Sequence, residues 1–474
     1  MAKGAREYPP QIRKVVIEEL RLILPFNDRA RNLSILNKPL WLFQREALEA
    51  MLGNRCLEEP PIDHLRNLPP HEDKLPILIH REDLFFDKEY IEAFWSQAKD
   101  LDRPCQAAFY TIDPDASPEQ ALEDRERNDR AFTTYALPLT KNFACGREAD
   151  GRYLCRVPLW YFPNGLPEGG IQTEGSYRIY FEPIIVQSGY REAGYYSVPS
   201  FMSTELGDLQ HLLPARSMLS IESWVHIYYA NILFGIFAIG SRFEEHADRD
   251  WRFRLRIMLQ AMLEQRQMLS CSKVVHMGRN VHIDPSVIIQ GPAWIGDDVT
   301  IEAGAVITNC IIGANVSIGN DCQLFLSVVG EGCFLPFKAS LFMSVLMKNS
   351  IVAQNTCLQM AVVGRNSFIG AGNTFTDFMM VPQLKGESLK ANGPNGLEPT
   401  GQIVLGGCVG HNCRIGSGLV IHPARMIESD VILFSAPERR VIKRNITYEE
   451  SDHHKLPAER AELHKRWDAE EDEW

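Results

Sequence analysis

The fold is decided by the stretch VHIDPSVIIQGPAWIGDDVTIEAGAVITNC, residues Val281–Cys310, in which isoleucine returns at every sixth position. A period of six fits neither a helix nor an alternating strand. With one-residue slips, the same spacing continues along the chain. The positions in successive series are Ile283, Ile289, Ile295, Ile301 and Ile307; Ile312, Ile318 and Leu324; Val329, Leu335 and Leu341; Ile351, Cys357, Val363, Ile369 and Phe375; and Ile403, Val409, Ile415, Ile421 and Ile427.

Such a repeat predicts a parallel β-helix. Each hexapeptide forms one side of a triangular prism, and three of them close a coil of about eighteen residues. The aliphatic side chain points inward and stacks on its equivalent in the next coil, and several coils are needed because one alone cannot bury its inner side. Glycines that follow the aliphatic residue, such as Gly296 and Gly313, are expected at the corners, where the backbone bends and approaches its neighbour closely.

The repeat resembles that of the hexapeptide-repeat transferases with a left-handed parallel β-helix, over about residues 275–431. The resemblance implies a homotrimer that binds acyl-CoA as co-substrate in clefts between neighbouring prisms. The alternative is a prism that only holds three chains together. Segment 377–401 interrupts the repeat with Gly, Pro, Asn and Lys, which predicts a loop, either for binding or as a clasp between subunits.

Composition narrows the class of protein. The chain has 474 residues and a net charge of −12, so it has no excess of cations for nucleic acid. The N-terminus lacks the apolar core of a signal peptide, and the uncharged stretch Ser223–Gly240 contains His226 and Asn231, which favours a buried helix over a membrane span. The eleven cysteines include no CxxC pair, and we expect reduced thiols in a cytoplasmic protein with no membrane partner.

The first half is typical of a mixed α/β domain. LPILIH at Leu75–His80 predicts a buried strand, Asp87 is suited to cap a helix, and PCQAAFYT at Pro104–Thr111 predicts the next strand. LNKPLWLFQREAL and ILIHREDLFFDKEYIEAF resemble segments of the sugar nucleotidyltransferases, including those fused to a left-handed β-helix. The resemblance implies a Rossmann-like α/β domain that binds a nucleotide sugar or sugar phosphate.

The phosphate-binding loop of that family is not present. The family places a glycine-rich loop after its first strand, whereas this chain has no glycine between Gly4 and Gly53. Arg29, Arg31 and Lys38 in the equivalent stretch could still contact phosphate. By resemblance, Asp83 would hold Mg²⁺; the alternative is an ordinary turn residue before a helix.

Histidine is the expected general base for acyl transfer in the β-helix. Among His276, His282, His411 and His422, the sequence VGHNCRIGSG favours His411, with Asn412 as a residue that positions the acceptor. The charges of Arg414 and Arg425 suit the phosphates of CoA or of a sugar phosphate. The alternative for His411 is a structural corner residue.

A closer likeness argues against an intact acetyltransferase. VVGRNSFIGAGNTFTDF, Val362–Phe378, resembles the acetyltransferase half of the bifunctional uridyltransferase/glucosamine-phosphate acetyltransferases. By that resemblance, the family's catalytic histidine and tyrosine fall on Gln354 and Cys357, and an amide has no useful basicity.

The expected organisation has four parts: an α/β nucleotidyltransferase-like domain at 1–220, a helical connector at 221–274, the β-helix at 275–435 and an acidic tail at 436–474. Within the connector, Phe243–Leu269 predicts a helix that packs between the domains through Trp251, Leu255, Met258, Leu259 and Met262. For function, three hypotheses stay open: a sugar-phosphate or nucleotide-sugar transferase of the nucleotidyl or acyl class, an inactive relative that binds a nucleotide sugar or regulates, and a purely structural trimer.

Overall fold

Three parallel sheets form the sides of a prism in the C-terminal half. The structure, a computed structural model, describes residues 11–69, 74–113, 116–117, 119–120, 132, 143–166, 181–196, 209–379 and 388–457. Each sheet has eight strands, and each strand pairs in parallel with its equivalent in the next coil. The parallel β-helix is therefore confirmed in this part of the chain.

Successive strands of the prism are numbered here in chain order. Sheet 1 contains β16 (Val275–Met277), β19 (Ala293–Ile295), β22 (Ile311–Ile312), β25 (Val328–Val329), β28 (Val345–Leu346), β31 (Val362–Val363), β36 (Cys408–Val409) and β39 (Met426–Ile427). Sheet 2 contains β17 (His282–Ile283), β20 (Thr300–Ile301), β23 (Ser317–Asn320), β26 (Phe334–Phe337), β29 (Ile351–Val352), β32 (Phe368–Ile369), β37 (Arg414–Ile415) and β40 (Ile432–Leu433). Sheet 3 contains β18 (Ile288–Gln290), β21 (Val306–Thr308), β24 (Gln323–Phe325), β27 (Ser340–Phe342), β30 (Cys357–Gln359), β33 (Thr374–Phe375), β38 (Val420–Ile421) and β41 (Val441–Ile442).

Most of the aliphatic positions point inward as predicted, but the series that begins at Ile351 is misaligned at its first two members. The structure buries Leu346, Val352 and Leu358 in the prism, whereas Ile351 and Cys357 face outward and are only half-buried. Ile403 likewise packs outside the prism. Because Ile295 pairs with Ile312 and Ile312 with Val329, the middle coils repeat after seventeen residues, not eighteen.

The seventeen-residue coils are one residue shorter at the corner between sheets 3 and 1. Leu326, Met343 and Met360 occupy this corner with positive φ, a backbone conformation that bulky residues rarely adopt. All three are buried in the core shared with the α/β domain. We infer that burial compensates for the cost of this backbone conformation.

The other two corners use mainly Asn, Asp and Gly rather than glycine alone. Asn315, Asn349, Asn366 and Asn412 have φ near +55° between sheets 1 and 2, where asparagine tolerates the left-handed region. Glycine is needed beside them for space. A Cβ on Gly313 would lie 2.6 Å from the backbone nitrogen of Glu331 in the next coil.

Gly319 provides a direct test of coil stacking. A Cβ there would lie 1.5 Å from the carbonyl oxygen of Pro336, which belongs to the paired strand. Gly319→Ala is therefore expected to lower the free energy of unfolding by about 3 kcal/mol, measured by urea denaturation. Gly146→Ala is the control, because a Cβ at Gly146 meets nothing within 4 Å. Equal stabilities of the two variants would contradict the stacking geometry.

The N-terminal half contains a mixed sheet with helices. Its main sheet has the order β12-β9-β11-β7-β1-β6, and β10 also pairs with β11. These strands are β1 (Ile12–Ile17), β6 (Cys56–Glu58), β7 (Ile77–Arg81), β9 (Cys105–Thr111), β10 (Ala144–Arg147), β11 (Tyr153–Phe162) and β12 (Glu182–Ile185). Shorter strands are β2 (Leu22–Ile23), β3 (Asp28–Arg29), β4 (Ser34–Ile35), β5 (Lys38–Pro39), β8 (Leu84–Phe86), β13 (Tyr190–Tyr196), β14 (Leu209–Pro214) and β15 (Met218–Ser220). Helix α1 spans Leu40–Leu52, and helix α2 spans Lys88–Ala98.

The order of the strands reverses at β1. From β1 the chain passes through α1 to β6 on one side, and then to β7 on the other side, and all three strands run parallel. The two strands predicted at Leu75–His80 and Pro104–Thr111 are present as β7 and β9, and β11 lies between them, antiparallel to both. Asp87 caps α2 as predicted, accepting a hydrogen bond from the backbone of Tyr90 at 2.8 Å. The nucleotidyltransferase identity of this domain stays a prediction.

Helix α3 (Trp224–Asn231) joins the two halves and is buried along its whole length. The stretch Trp224–Arg249 is long and apolar enough to cross a membrane, with a mean hydropathy of 1.3, but 89% of its apolar window is buried inside the protein. The prediction of a buried helix is confirmed. At its end, the Asn231 amide accepts a hydrogen bond from the Leu36 backbone at 2.7 Å and donates one to the Ser34 carbonyl at 3.0 Å.

The connector continues through a π-helical turn (Ile232–Phe237) into α4 (Ala238–Arg249) and α5 (Trp251–Glu264). The predicted helix Phe243–Leu269 is helical over most of its length, but it is divided between α4 and α5 because Asp250 has extended backbone angles. The packing prediction is wrong for α5. Only Ile257 and Ala261 are buried there. The five residues predicted to pack between domains all face solvent: Trp251, Leu255, Met258, Leu259 and Met262.

Three further segments differ from the sequence predictions. The insertion contains a hairpin of β34 (Lys390–Gly393) and β35 (Gly396–Pro399), while 380–387 lie outside the described residues. Part of the predicted tail belongs to the prism, because β41 pairs in parallel with β38 and the buried Asp452 accepts a hydrogen bond from the Phe434 backbone at 2.7 Å; 458–474 lie outside the described residues. Cys145 and Cys155 form a disulfide, so the prediction of reduced thiols is wrong there, since the two residues oppose each other in the β10–β11 ladder.

Candidate functional site

A cleft opens at the carboxyl ends of β1 and β7, where the strand order reverses; we call it the switch-point cleft. In open α/β sheets, ligands bind at this position because loops on either side of the reversal separate. The cleft has a volume of about 350 Å³. Its lining consists of Ile17, Glu18, Glu19, Asp63, His64, Leu65, Arg81, Gln106, Ala144, Arg156, Pro158 and Trp160.

The side of the cleft formed by β11 and β9 combines an aromatic ring with polar groups. Trp160 is half-buried, and Arg156 on the same strand has a quarter of its side chain exposed. Gln106 opposes Trp160 in the ladder, and its amide is held by a hydrogen bond to the Val157 carbonyl at 2.9 Å. A flat ring, a guanidinium and a fixed amide therefore line one side of the cleft.

Carboxylates line the other side. Glu18 and Glu19 follow directly after β1, and both are half-buried. The Arg29 guanidinium lies behind Glu18, 3.7 Å from its carboxylate. Because side-chain oxygens accept hydrogen bonds from hydroxyl groups, this side suits a polyol such as a sugar.

Arg29 and Arg31, predicted to bind phosphate, converge instead on the buried carboxylate of Glu82. Arg29 donates to Glu82 at 2.7 Å, and Arg31 lies 3.5 Å from its other oxygen. Burial raises the pKa of Glu82, partly offset by the hydrogen bond from Arg29. Lys38 is on the surface, where it pairs with Glu46. Their phosphate-binding role stays a prediction, and the ion pairs found do not favour it.

Asp83, predicted to hold Mg²⁺, is buried and engaged in an ion pair. Arg81 donates to its two oxygens at 2.5 and 2.8 Å, and the Ser220 hydroxyl donates at 3.1 Å. Within the described ranges, His, Cys, Asp and Glu form no group of three that could hold a metal. The residues around Asp83 therefore do not fit a magnesium ion.

A second, smaller cleft lies between the two halves of the molecule and has a volume of about 240 Å³. The loop that follows Arg31 contributes Asn32, Ser34, Asn37 and Pro39, and the prism contributes Gly330, Glu331, Met347, Lys348 and Arg365. Arg365 forms a buried ion pair with Asp28 at 3.0 Å, which joins the prism to the α/β domain. This cleft has positive groups, but its arginine is already neutralised.

His411, the predicted general base, is fully buried at the same junction. Its Nδ1 accepts a hydrogen bond from the Arg365 backbone at 3.0 Å, and its ring lies 5.0 Å from that of Phe26. Burial, with the charges of Arg365 and Lys348, holds the pKa of His411 well below its usual value. Catalysis by His411 stays a prediction; the geometry is that of a neutral residue that fastens the α/β domain to the prism.

The residues predicted to bind the acceptor or CoA have structural contacts. Asn412 is a corner residue whose amide donates to Asp430 at 3.2 Å. Arg414 donates to the Asn366 carbonyl at 2.6 Å but remains exposed on sheet 2. Arg425 donates to the Lys390 carbonyl at 2.5 Å and so holds the inserted hairpin against the prism. Arg414 alone among them presents its side chain openly to solvent.

The sequence predicted none of the residues that line the switch-point cleft; Arg29, which it did name, lies behind Glu18. Glu18 and Glu19 carried a signal, since paired acidic residues directly after a buried strand lie at the carboxyl edge of a parallel sheet. Arg156 and Trp160 carried none, because their strand is antiparallel and enters the sheet from a distant part of the sequence.

Part of the repeat matches the model of a known protein family. Residues 275–309 match the family model of the bacterial transferase hexapeptide (six repeats). No curated protein matches the chain. The first coils of the prism therefore carry hexapeptide repeats of the kind found in bacterial transferases.

The solved structures that match the chain include an acyltransferase and two acetyltransferases, all with low similarity. UDP-N-acetylglucosamine acyltransferase from Campylobacter jejuni is 12% identical with a TM-score of 0.29, covering 40% of this chain and 77% of that chain. The acetyltransferase domain of PglB from Neisseria gonorrhoeae, in complex with acetyl coenzyme A, is 20% identical with a TM-score of 0.16, covering 26% and 62%. A variant of perosamine N-acetyltransferase from Caulobacter crescentus, with CoA and GDP-perosamine, is 17% identical with a TM-score of 0.13, covering 41% and 58%. At these scores, the likeness carries no conclusion about activity.

Proposed function

We propose that this protein is a sugar-directed transferase of the hexapeptide-repeat kind whose α/β domain binds a nucleotide sugar or sugar phosphate in the switch-point cleft. The observation that carries the proposal is the position of the cleft, at the reversal of strand order between β1 and β7. Its lining supplies each kind of contact that such a ligand needs.

The division of roles follows from the chemistry of the side chains. The Trp160 ring offers a flat apolar surface for a base or a sugar face. Arg156 suits a phosphate, since a guanidinium donates two parallel hydrogen bonds to its oxygens. Glu18 and Glu19 accept hydrogen bonds from sugar hydroxyls.

Acyl transfer is the proposed reaction, with acyl-CoA as co-substrate and a homotrimer as the assembly. The match of 275–309 to the transferase repeat supports it. Sheet 2 supports the trimer, because Phe334 and Phe368 stand exposed on its outer side, with the half-buried Ile351 between them in the ladder. Nucleotidyl transfer gains no support, since Asp83 is engaged by Arg81 and Ser220.

The second candidate function is a binding or regulatory protein without catalysis. The burial of His411 favours it, because a base that cannot contact the acceptor cannot deprotonate it. Gln354, which stands where the resemblance expects a histidine, favours it too. Thiol release from acetyl-CoA in the presence of a bound sugar ligand separates the two functions.

Ligand binding is tested by titration calorimetry with UDP-, GDP- and dTDP-sugars and with sugar phosphates. Trp160→Ala and Arg156→Ala are each expected to weaken binding about tenfold, since each removes one principal contact. Trp251→Ala and Arg279→Ala are matched controls, because both side chains are exposed far along the chain from the cleft and should leave the affinity unchanged. Equal affinity in all four variants would contradict the site.

A further inference from the structure

Helix α5 presents an apolar surface to solvent. Trp251 is 62% exposed, Met262 68% and Leu263 80%, and Leu255 and Leu259 lie between them. On a helix of 3.6 residues per turn, these positions fall on one side, opposite the buried Ile257 and Ala261. A contiguous patch of large apolar side chains on a protein surface marks an interaction site.

Arginines border this patch on both sides. By helical position, Arg254 lies on one flank and Arg256 on the other, whereas Arg252 falls in line with Leu259 and Leu263 at the start of the helix; all three arginines are exposed. From Trp251 to Arg266 the sequence has four arginines and one glutamate, Glu264, which turns inward to bond Ser272. The segment is thus cationic within a chain whose net charge is −12, whereas Glu244, Glu245 and Asp248 of α4 and the capping residue Asp250 precede it.

The neighbouring end of the prism extends the patch. Met268 and Leu269 follow α5 and are exposed, as are Met277 and Ile288 of the first coil. The Leu269 carbonyl accepts a hydrogen bond from the Gly291 backbone at 2.8 Å, so this turn sits directly on the first coil. Exposed apolar side chains therefore occur both on α5 and on the adjoining end of the prism.

We propose that this surface docks on an anionic lipid membrane, with α5 lying in the plane of the interface. Apolar and aromatic side chains in the centre with arginines along both flanks are the pattern of interfacial helices. The arginine stems can lie along the apolar boundary while their charged ends reach lipid phosphates. This binding is independent of the proposed function and alters the expectation that the protein has no membrane partner.

Charge selects the lipid surface over the other possible occupants. A second copy that packed α5 against α5 would bring arginines of the same charge together, which is unfavourable. An anionic membrane has the opposite charge over its whole plane, so every flanking arginine finds a phosphate.

Vesicle co-sedimentation of the full chain tests the proposal. We expect the protein to bind vesicles of phosphatidylcholine with about one third phosphatidylglycerol at least about tenfold more tightly than pure phosphatidylcholine, and to be released by high salt. Trp251→Ser/Leu255→Ser/Leu259→Ser should abolish binding with no loss of thermal stability, because these side chains are exposed. Leu57→Ser/Leu397→Ser, which changes exposed leucines elsewhere, is the control that should retain it.

Charge-reversal variants provide a second test of vesicle binding. Arg252→Glu/Arg254→Glu/Arg256→Glu is expected to weaken binding to the anionic vesicles by about a hundredfold or more. Three reversals elsewhere on the surface should have a small effect by comparison: Arg103→Glu, Arg440→Glu and Arg444→Glu.

Three results would overturn the proposal. The first is the absence of vesicle binding by the folded wild-type chain, and the second is equal binding by the wild type and the α5 variants. The third is a change of native mass in the serine variant, measured by sedimentation velocity, since it would show that a second copy covers the patch. None of these results bears on ligand binding in the switch-point cleft.

Discussion

The protein is expected to lose stability steeply as the pH falls from about 6.5 towards 3, because four histidines are buried in their neutral form. Burial lowers the pKa of His80, His211 and His226 to about 3, and that of His411 well below its usual value. In the unfolded chain the same groups titrate near 6.5, so the unfolded state binds more protons throughout this window. Stability is therefore fully present above about pH 6.5 and falls on acidification.

The size of the effect follows from linkage. Each buried histidine costs about 1.4 kcal/mol for every pH unit below its unfolded pKa. Burial raises the pKa of Glu82, Asp87 and Asp377, and these carboxyls contribute with the opposite sign at lower pH. Since the histidines titrate first, we expect the free energy of unfolding, measured with urea, to drop by several kcal/mol between about pH 7 and pH 5.

Two of these histidines accept backbone hydrogen bonds that protonation would break. Nδ1 of His226 accepts from the Glu222 backbone at 3.1 Å, and Nδ1 of His411 accepts from that of Arg365. His226→Gln should reduce the number of protons taken up on unfolding by up to one, and so reduce the dependence of stability on pH. His282→Gln should leave that number unchanged, because its ring is exposed. A free energy of unfolding that is constant between about pH 7 and pH 5 would contradict the buried neutral state.

Removing Arg365 is expected to cost about 4 kcal/mol of stability, because it leaves the buried carboxylate of Asp28 without its guanidinium. Arg365 donates to Asp28 at 3.0 Å across the junction of prism and α/β domain, and both side chains are almost fully buried. The Asn32 amide, which also donates to Asp28 at 3.0 Å, compensates only in part. Urea denaturation of Arg365→Met measures the loss.

A double variant separates the ion pair from packing. Asp28→Asn/Arg365→Met removes both charges. Its loss of unfolding free energy should therefore be smaller, by about 2 kcal/mol, than the sum of the losses in Asp28→Asn and Arg365→Met. Arg279→Met is the matched control: this arginine also pairs with an aspartate, Asp297, but on the surface, where ion pairs contribute little. Additive losses in the double variant would show that the two charges do not interact.

The prism was predictable from sequence because its period reports one repeated physical requirement, an aliphatic side chain at the same place on every side. The seventeen-residue coil was not. Met343 and Met360 look like poor corner residues until the α/β domain that buries them is known, and that contact joins distant parts of the chain. A periodic pattern reflects local backbone geometry, whereas the one-residue shortening of the coils depends on tertiary contacts with the α/β domain.

The site was harder to predict for a related reason. The position of Arg29 and Arg31 in the stretch equivalent to a phosphate loop predicts phosphate binding, but in the structure both arginines contact Glu82 behind the cleft. Helix α5 shows the same limit: the spacing of Trp251 and Leu255 identified an apolar side correctly, but spacing does not reveal what that side contacts. Burial at His411 likewise depends on Phe26, from the other end of the chain.

The α/β domain occupies one of the three sides of the prism, since the outward residues Val328, Val345 and Val362 of sheet 1 belong to the core shared with it. Copies arranged around a threefold axis could then meet only through sheets 2 and 3. Because these two sheets differ, each contact would join sheet 2 of one chain to sheet 3 of the next. Such a ring holds all three prisms in the same direction. Three α5 helices would face one plane together, and weak single attachments would act as one strong one through avidity.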